Sequence, residues 1–241
     1  MMEQIIVTET SKNLRALGHG ALSQNKLLAL KGALLYIMAI TLPAALLTIF
    51  FQGTVGDSAS ALYSLLVSGP FTLGVTLFYM NMFRGKVASL GDVFYGFDHF
   101  VKAFGLFIIM SVLIFLWSLL LIVPGIIASF RYSQAFLILA DNPEYKALDC
   151  IRESKRLMNG NKMKLLYLTL SFMGWILLFM ILPFGILTML SLTGVLTNIL
   201  TSQILALLMN VIYIWILAYM MLTLVAFYEI LTGSLKAEKA E

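Results

Sequence analysis

Long apolar runs separated by short charged segments constrain this chain more than any other feature. The longest covers residues 103–140, in which Arg131 is the only charged side chain. Because a transmembrane helix needs about 20 apolar residues, this run holds at least one span. Only 12% of the 241 residues are charged and 61% are hydrophobic, whereas soluble domains carry roughly 25% charged residues. The sequence therefore predicts an all-α fold, a polytopic membrane helix bundle.

Positive charge in the loops indicates how often the chain crosses the membrane. Val123-Pro124-Gly125 marks either a kink in one long span or a turn between two spans. With two crossings, the six Lys and Arg residues of 141–164 lie on the same side as the three of 84–102, as the positive-inside rule favours. We therefore predict six transmembrane helices with both termini in the cytoplasm. The approximate spans are 27–51, 59–83, 103–123, 125–140, 163–183 and 204–230, which form a membrane domain over 27–230.

The remaining segments are polar and are predicted to be cytoplasmic. Residues 1–26 form an N-terminal segment with a short amphipathic helix near Thr10–Leu22, and residues 231–241 form a tail. Between the spans, Leu90–Val101 has apolar residues at helical spacing, and Ser89 with Asp92 is typical of a capping box.

A second amphipathic segment is predicted at Pro143–Met158. Asp141-Asn142-Pro143 is typical of a helix start, and Asn159-Gly160 is typical of a helix end. Ala147, Leu148, Ile151 and Met158 are predicted to form its apolar face. Together with Leu90–Val101, this gives two cytoplasmic interfacial amphipathic helices that lie along the membrane surface.

Several strings in the middle of the chain carry a family resemblance. They are Val123-Pro124-Gly125-Ile126-Ile127, Arg131-Tyr132-Ser133, Ala140-Asp141-Asn142-Pro143, Leu157-Met158-Asn159-Gly160-Asn161-Lys162, Ser171-Phe172-Met173-Gly174-Trp175 and Phe227-Tyr228-Glu229. The chain resembles, over about residues 65–230, a family of bacterial integral membrane proteins common in Firmicutes and catalogued as a domain of unknown function. It is more distantly similar to the membrane domain of glycerophosphodiester phosphodiesterases. The resemblance implies a six-helix membrane fold in a bacterial plasma membrane, and it implies no activity.

The strongest candidate for a functional residue is Arg131, because a cation inside a span costs about 2.5–3.5 kcal/mol on insertion scales. With Tyr132, Ser133 and Gln134 it forms a candidate intramembrane polar site for a ligand or a lipid headgroup. The alternative is a structural arginine that bonds helix-end carbonyls or reaches outward to the interface. Glu229 is a weaker candidate, either an interfacial anchor beside Tyr228 or a proton carrier.

The residue types that enzymes need are not arranged as a site in this sequence. There is no nucleophile elbow, paired-histidine motif or phosphate loop, and Cys150 is the single cysteine. We therefore expect no enzymatic activity, no catalytic residue, no cofactor and no metal. Expected partners are membrane lipids and other membrane proteins, not nucleic acid, and the sequence does not indicate an oligomeric state.

Two classes of function fit these observations. The first is a non-enzymatic accessory protein that binds lipid or another membrane protein. The alternative is a small transporter, or the membrane-embedded substrate-binding subunit of an importer. A carrier needs polar groups inside several spans, and most of the predicted spans are almost wholly apolar, which favours the accessory protein.

Overall fold

The computed structural model describes residues 5–51, 53–192 and 199–235. Within these ranges the chain forms ten α-helices and a short 3-10 helix at Leu90–Phe94, and no strand. The helices are α1 Ser11–Gln24, α2 Lys26–Phe51, α3 Gly53–Phe83, α4 Tyr95–Asp98, α5 Phe100–Leu120, α6 Ile122–Tyr132, α7 Ala135–Asp141, α8 Ala147–Leu157, α9 Lys162–Leu192 and α10 Ile199–Leu231.

Five segments of the described chain are long and apolar enough to cross a membrane, which indicates a multi-pass membrane protein. They are Lys26–Phe51, Gly53–Phe83, Phe100–Leu120, Ile122–Asp141 and Tyr213–Leu231. The predicted all-α fold is thus confirmed for the described residues. Helix α9 has 31 residues, a length of about 46 Å, and covers the predicted fifth span at 163–183; that this helix also spans stays a prediction.

Helices α2 and α3 form an antiparallel hairpin. The Tyr63 hydroxyl donates to the Ala39 carbonyl at 2.6 Å, and the Tyr79 hydroxyl donates to the Ala29 carbonyl at 2.9 Å. The second predicted span starts at about residue 59, and helix α3 begins six residues earlier, at Gly53. Gly56 lies directly against the backbone of α2, so the second helix starts beside the tip of the first.

Helices α5 and α6 form a second hairpin. The chain reverses at Leu121, whose φ of −166° and ψ of 151° are extended, rather than at Pro124-Gly125, which lies in the first turn of α6. A Cβ on Gly125 would lie 2.1 Å from the Ser118 Oγ. The glycine therefore permits close contact between the two helices, and it does not form the turn itself.

The segment Leu90–Val101 is not the single surface helix that its spacing predicted. The 3-10 helix, α4 and the start of α5 follow one another there, although the capping box of Ser89 and Asp92 is present. The cause is packing: Val93 is fully buried, and a Cβ on Gly96 would lie 1.9 Å from the Pro70 carbonyl oxygen. The segment is pressed against α3 instead of forming a regular helix.

The second amphipathic helix is shorter than predicted. Asp141 ends α7 instead of starting a new helix, and α8 begins only at Ala147, with Lys146 at its N-cap position. Leu148, predicted on the apolar face, is 52% exposed. The buried face of α8 contacts α5, α6 and α7, so its amphipathic pattern is explained by packing within the chain; its buried residues are Cys150, Ile151, Ser154 and Leu157.

The predicted N-terminal helix near Thr10–Leu22 corresponds to α1, which packs along α10. The Thr10 side chain caps it by accepting from the Asn13 N–H. A Cβ on Gly18 would lie 2.3 Å from the Thr223 Oγ1, so this glycine permits the close approach of α1 to α10. Residues 1–4 and the predicted tail after Leu235 lie outside the described residues.

The buried core lies toward one end of the helices. We call this the packed end; it comprises α1, the segment 69–103, α7, α8 and residues 216–231. The tips of the two hairpins, which we call the hairpin ends, are residues 42–66 and 112–127. They expose apolar side chains, among them Phe50 at 77%, Leu120 at 71% and Ile122 at 77%.

Candidate functional site

The four predicted site residues lie together at the break between α6 and α7. Arg131 and Tyr132 end α6, and Ser133 and Gln134 separate it from α7. The Ser154 hydroxyl of α8 donates to the Arg131 carbonyl at 2.9 Å and accepts from the Gln134 N–H at 3.2 Å. A broken helix in a membrane leaves backbone groups that need partners, and Ser154 supplies them here.

The side chains at this break are only partly engaged. Tyr132 is buried, with the Lys155 Nζ 5.5 Å from the centre of its ring. The Gln134 Nε2 donates to the Ser133 Oγ at 3.0 Å, and the Gln134 Oε1 is buried with no partner among the described residues. Arg131 is half-buried and makes no ion pair with any described carboxylate.

The second candidate, Glu229, belongs to an ion network at the packed end. Its carboxylate accepts from the Arg84 Nε at 2.7 Å, and a second guanidinium nitrogen of Arg84 donates to Asp141 at 2.6 Å. The Tyr228 hydroxyl donates to the other oxygen of Asp141 at 3.1 Å. One arginine after α3 therefore joins the last residue of α7 to α10.

Because Glu229 is buried, its charge must be compensated by the ion pair with Arg84. Glu229 is 3% exposed, and a buried carboxylate is tolerated only when it is paired and hydrogen-bonded. Burial alone would lower the pKa of the Arg84 guanidinium, but its hydrogen bonds to Asp141 and Glu229 outweigh burial and raise that pKa above its ordinary value. Arg84 therefore stays charged and holds both carboxylates in place.

Sequence reasoning used Arg84 only as an orientation charge and Asp141 only as a helix cap, so it missed this network. A signal was present: an acid near the end of one span requires a counter-charge, and such residues usually pair. The sequence could not identify the pair, because 145 residues separate Arg84 from Glu229.

A cleft of about 240 Å³ opens beside the network. Asp141 and Tyr228 form one wall, and the Arg156–Glu153 ion pair of α8, at 2.5 Å, lies on another. The Arg156 guanidinium donates to the Glu153 carboxylate, and this hydrogen bond raises the pKa of Arg156. Both carboxylates that line the cleft, Asp141 and Glu153, are already paired with arginines.

Asn161 holds the N-terminal segment in place through hydrogen bonds to its backbone. The buried Asn161 side chain accepts from the Val7 N–H at 2.8 Å and donates to the Ile5 carbonyl at 2.9 Å. Lys164 donates to the Thr8 carbonyl at 3.3 Å. These bonds fix residues 5–8 against the start of α9, and Ile5 lines the cleft.

Comparison with protein families finds a match in the C-terminal half of the chain. Residues 118–234 are similar to a family described as a protein of unknown function, DUF975. The resemblance to a family of unknown function is therefore confirmed for this part of the chain. The matched region contains Arg131, Asp141, Ser154 and Glu229, whereas Arg84 precedes it. No curated protein and no solved structure matches the chain.

Proposed function

We propose that this chain is a non-enzymatic accessory protein of a bacterial plasma membrane that binds lipid or another membrane protein. It crosses the membrane six times, with its packed end and both termini in the cytoplasm. The charge distribution supports this orientation, because 13 of the 16 Lys and Arg residues lie outside the spans on one side in the six-span arrangement, and Lys31 and Lys164 lie near the same ends of the first and fifth spans.

The observation that carries the proposal is the state of the hydroxyl groups inside the spans. Six serine and threonine hydroxyls in the described part of the spans each donate to a carbonyl of their own helix, so their hydrogens are not available to a substrate. The bonds run from Thr41 to Ile37, Thr48 to Ala44, Ser64 to Ser60, Ser68 to Ser64, Thr76 to Thr72 and Thr223 to Tyr219. A carrier requires polar groups free to replace the water around its substrate.

The packed end supports the same function. Arg84 ties three elements together through two ion pairs, one of them to the buried Glu229, which favours a fixed scaffold over an element that rocks between two states. The hairpin ends, in contrast, expose apolar side chains that lipid or the helices of a partner would cover.

The alternative, a small transporter or an importer's binding subunit, has one observation in its favour. The span Ile122–Asp141 is discontinuous at Ser133-Gln134, and transporters place substrate sites at such breaks. Here, however, Ser154 already bonds the Arg131 carbonyl and the Gln134 N–H. The break has fewer free backbone groups for a substrate, which makes the transporter the second candidate.

Thiol accessibility would test the proposal. Single cysteines replace Thr41, Ser64, Ser68 and Thr223 in a Cys150→Ala chain, which is treated in membranes with a charged, impermeant methanethiosulfonate. We expect these positions to be unreactive because no aqueous path reaches them. Ser58→Cys should react from outside and Lys86→Cys only from inside.

Several reactive positions along the spans would identify a water-filled path and favour the transporter. Reaction of Ser58→Cys and Lys86→Cys from the same side would contradict the proposed topology. The control for both results is the Cys150→Ala chain without an added cysteine, which should not react.

A further inference from the structure

A groove with a volume of about 240 Å³ runs between α6, α9 and α10. It is separate from the cleft at the ion network, since no residue lines both. Its floor is buried and apolar, formed by Leu165, Leu168 and Phe172 of α9. All three helices that form it belong to candidate or predicted spans, so we place the groove within the membrane.

The polar atoms of the groove are already satisfied. The Ser129 hydroxyl donates to the Ile126 carbonyl at 2.7 Å, and the Ser133 hydroxyl donates to the Phe130 carbonyl at 2.9 Å. Thr169 does the same with Leu165 at 2.9 Å. A polar ligand would lose its hydrogen bonds to water on entering and gain few in return, whereas an apolar chain would lose none.

The size of the groove excludes a helix as its occupant. From Leu165 to Phe172 the groove is about 10 Å long at a helical rise of 1.5 Å per residue. A helix has a diameter of about 10–12 Å, as large as the whole length of the groove, whereas a single hydrocarbon chain is much thinner and fits along it.

Two lysines without carboxylate partners lie near the end of the groove where α6 and α8 meet. Lys162 precedes Leu165 by one helical turn on the same face of α9, and Lys155 contacts the ring of Tyr132, next to Ser133 of the groove. The neighbouring acids of α8 are taken by Arg152 and Arg156. Neither lysine forms an ion pair with another described residue.

We propose that the groove binds one acyl chain of an anionic phospholipid, with the phosphate held by Lys155 and Lys162. The inference rests on the proposed function, because it names the lipid that the accessory protein binds. Moving the acyl chain from bulk lipid into the groove gains little free energy, because bulk lipid is equally apolar. Selectivity therefore comes from the two cations, and the preference is for an anionic over a zwitterionic headgroup.

The site differs from the one that the sequence predicted at Arg131. Arg131 is two positions from both Ser129 and Ser133, about 200° around the helix from each, so it points away from the groove. The charge of Arg131 should therefore not affect retention of the lipid, which separates the two sites experimentally.

Native mass spectrometry of the full chain tests the proposal. The protein is reconstituted in nanodiscs with equal amounts of phosphatidylglycerol and phosphatidylcholine, then released in mild detergent, and the retained lipid is counted. We expect one phosphatidylglycerol per chain, preferred about tenfold over phosphatidylcholine. Lys155→Gln with Lys162→Gln should abolish the preference, and Ser129→Phe, which fills the groove, should lower retention of both lipids about tenfold.

Matched variants control for charge and bulk. Lys146→Gln removes a lysine at the other end of α8 that has no ion pair among the described residues. Arg131→Gln removes the cation at the break between α6 and α7. Ile127→Phe adds an aromatic ring on the opposite face of α6. All three should retain phosphatidylglycerol as the unmodified chain does. Equal melting temperatures of the variants would show that each is folded.

Four results would overturn the inference. Full lipid retention by Ser129→Phe would show that the groove does not bind the acyl chain. An undiminished preference for phosphatidylglycerol in the double lysine variant would show that the two lysines do not hold the phosphate. Loss of phosphatidylglycerol from Arg131→Gln would favour the site predicted at Arg131. Retention of a protein in place of lipid would also contradict it. Each leaves the accessory function standing, which fails only if thiol labelling finds a water-filled path through the spans.

Discussion

The packed end and the hairpin ends are formed by largely the same helices, but they place apolar side chains in different surroundings. In α3, Phe71 and Phe78 near the packed end are buried, whereas Val55 and Leu62 near the hairpin end are 63% and 58% exposed. Burial of an apolar side chain therefore depends on which neighbouring helices its own helix can contact. In a membrane, the apolar side chains of the hairpin ends are in contact with lipid.

Small residues and ion pairs distinguish the packed end. Cβ atoms on Gly74 and Gly96 would lie 2.0 Å from the Val93 carbonyl oxygen and 1.9 Å from the Pro70 carbonyl oxygen. These glycines allow backbones to meet at a distance that larger residues forbid. The hairpin ends contain such contacts only at Gly56 and Gly125, so their helices present most of their side chains outward.

Removing the guanidinium of Arg84 should have the largest effect on stability. Arg84→Gln leaves the carboxylate of Glu229, only 4% exposed, without its counter-charge. Breaking a buried pair in this way costs about 3–5 kcal/mol. The measurement is thermal unfolding of the purified protein in detergent, where the variant should melt well below the unmodified chain.

The exposed ion pair of α8 provides the control for Arg84. Arg152→Gln removes the same charge from a pair whose side chains are 74% and 43% exposed, and exposed pairs contribute little. It should not shift the melting temperature measurably. Adding Glu229→Gln to Arg84→Gln should restore much of the lost stability. Equal melting of Arg84→Gln and Arg152→Gln would contradict a structural role for the network.

Replacing one leucine by alanine in each region compares the packed end directly with a hairpin end. Leu222 at the packed end is fully buried, and Leu119 at a hairpin end is 67% exposed. Leu222→Ala should cost about 2–5 kcal/mol, because it removes contacts and leaves a cavity. Leu119→Ala should stay within about 0.5 kcal/mol. Unfolding of the two variants under the same detergent conditions measures both, and similar losses would mean that the hairpin ends also pack against protein.

The fold class could be read from the sequence because lipid imposes a strong pattern. Runs of about 20 apolar residues and the distribution of Lys and Arg led to the hairpins α2–α3 and α5–α6. Helix boundaries were less accurate wherever tertiary contacts decided them. Gly96 against Pro70 breaks the Leu90–Val101 helix, and nothing in the local spacing reveals that Pro70 will be its neighbour.

The candidate site could be predicted only in part, for a similar reason. Reasoning from the cost of a buried charge selected Arg131 and Glu229, and the second of these is indeed paired in the interior. The partner of Glu229 is far away in sequence, so a single sequence gives no sign of it. Ser154 presents the same difficulty, because its role depends on α8 meeting the break after α6.

The smallest expected effect concerns Cys150, which is fully buried in the packed end. Burial raises the pKa of its thiol to about 11. At pH 8 about one Cys150 in a thousand is then a thiolate, the form that reacts. Maleimide should therefore modify folded Cys150 far more slowly than the exposed cysteine of Ser58→Cys at a hairpin end. Denatured protein should react at both positions at similar rates.

The raised pKa of Cys150 also predicts how stability varies with pH. The neutral thiol is favoured in the folded state, so its contribution is complete below the unfolded pKa, near 9, and is lost as pH rises through about 11. The unmodified chain should lose stability relative to Cys150→Ala between these two values. A constant difference in melting temperature across this range, or rapid labelling of folded Cys150 at pH 8, would show that α8 is not packed on the protein as described.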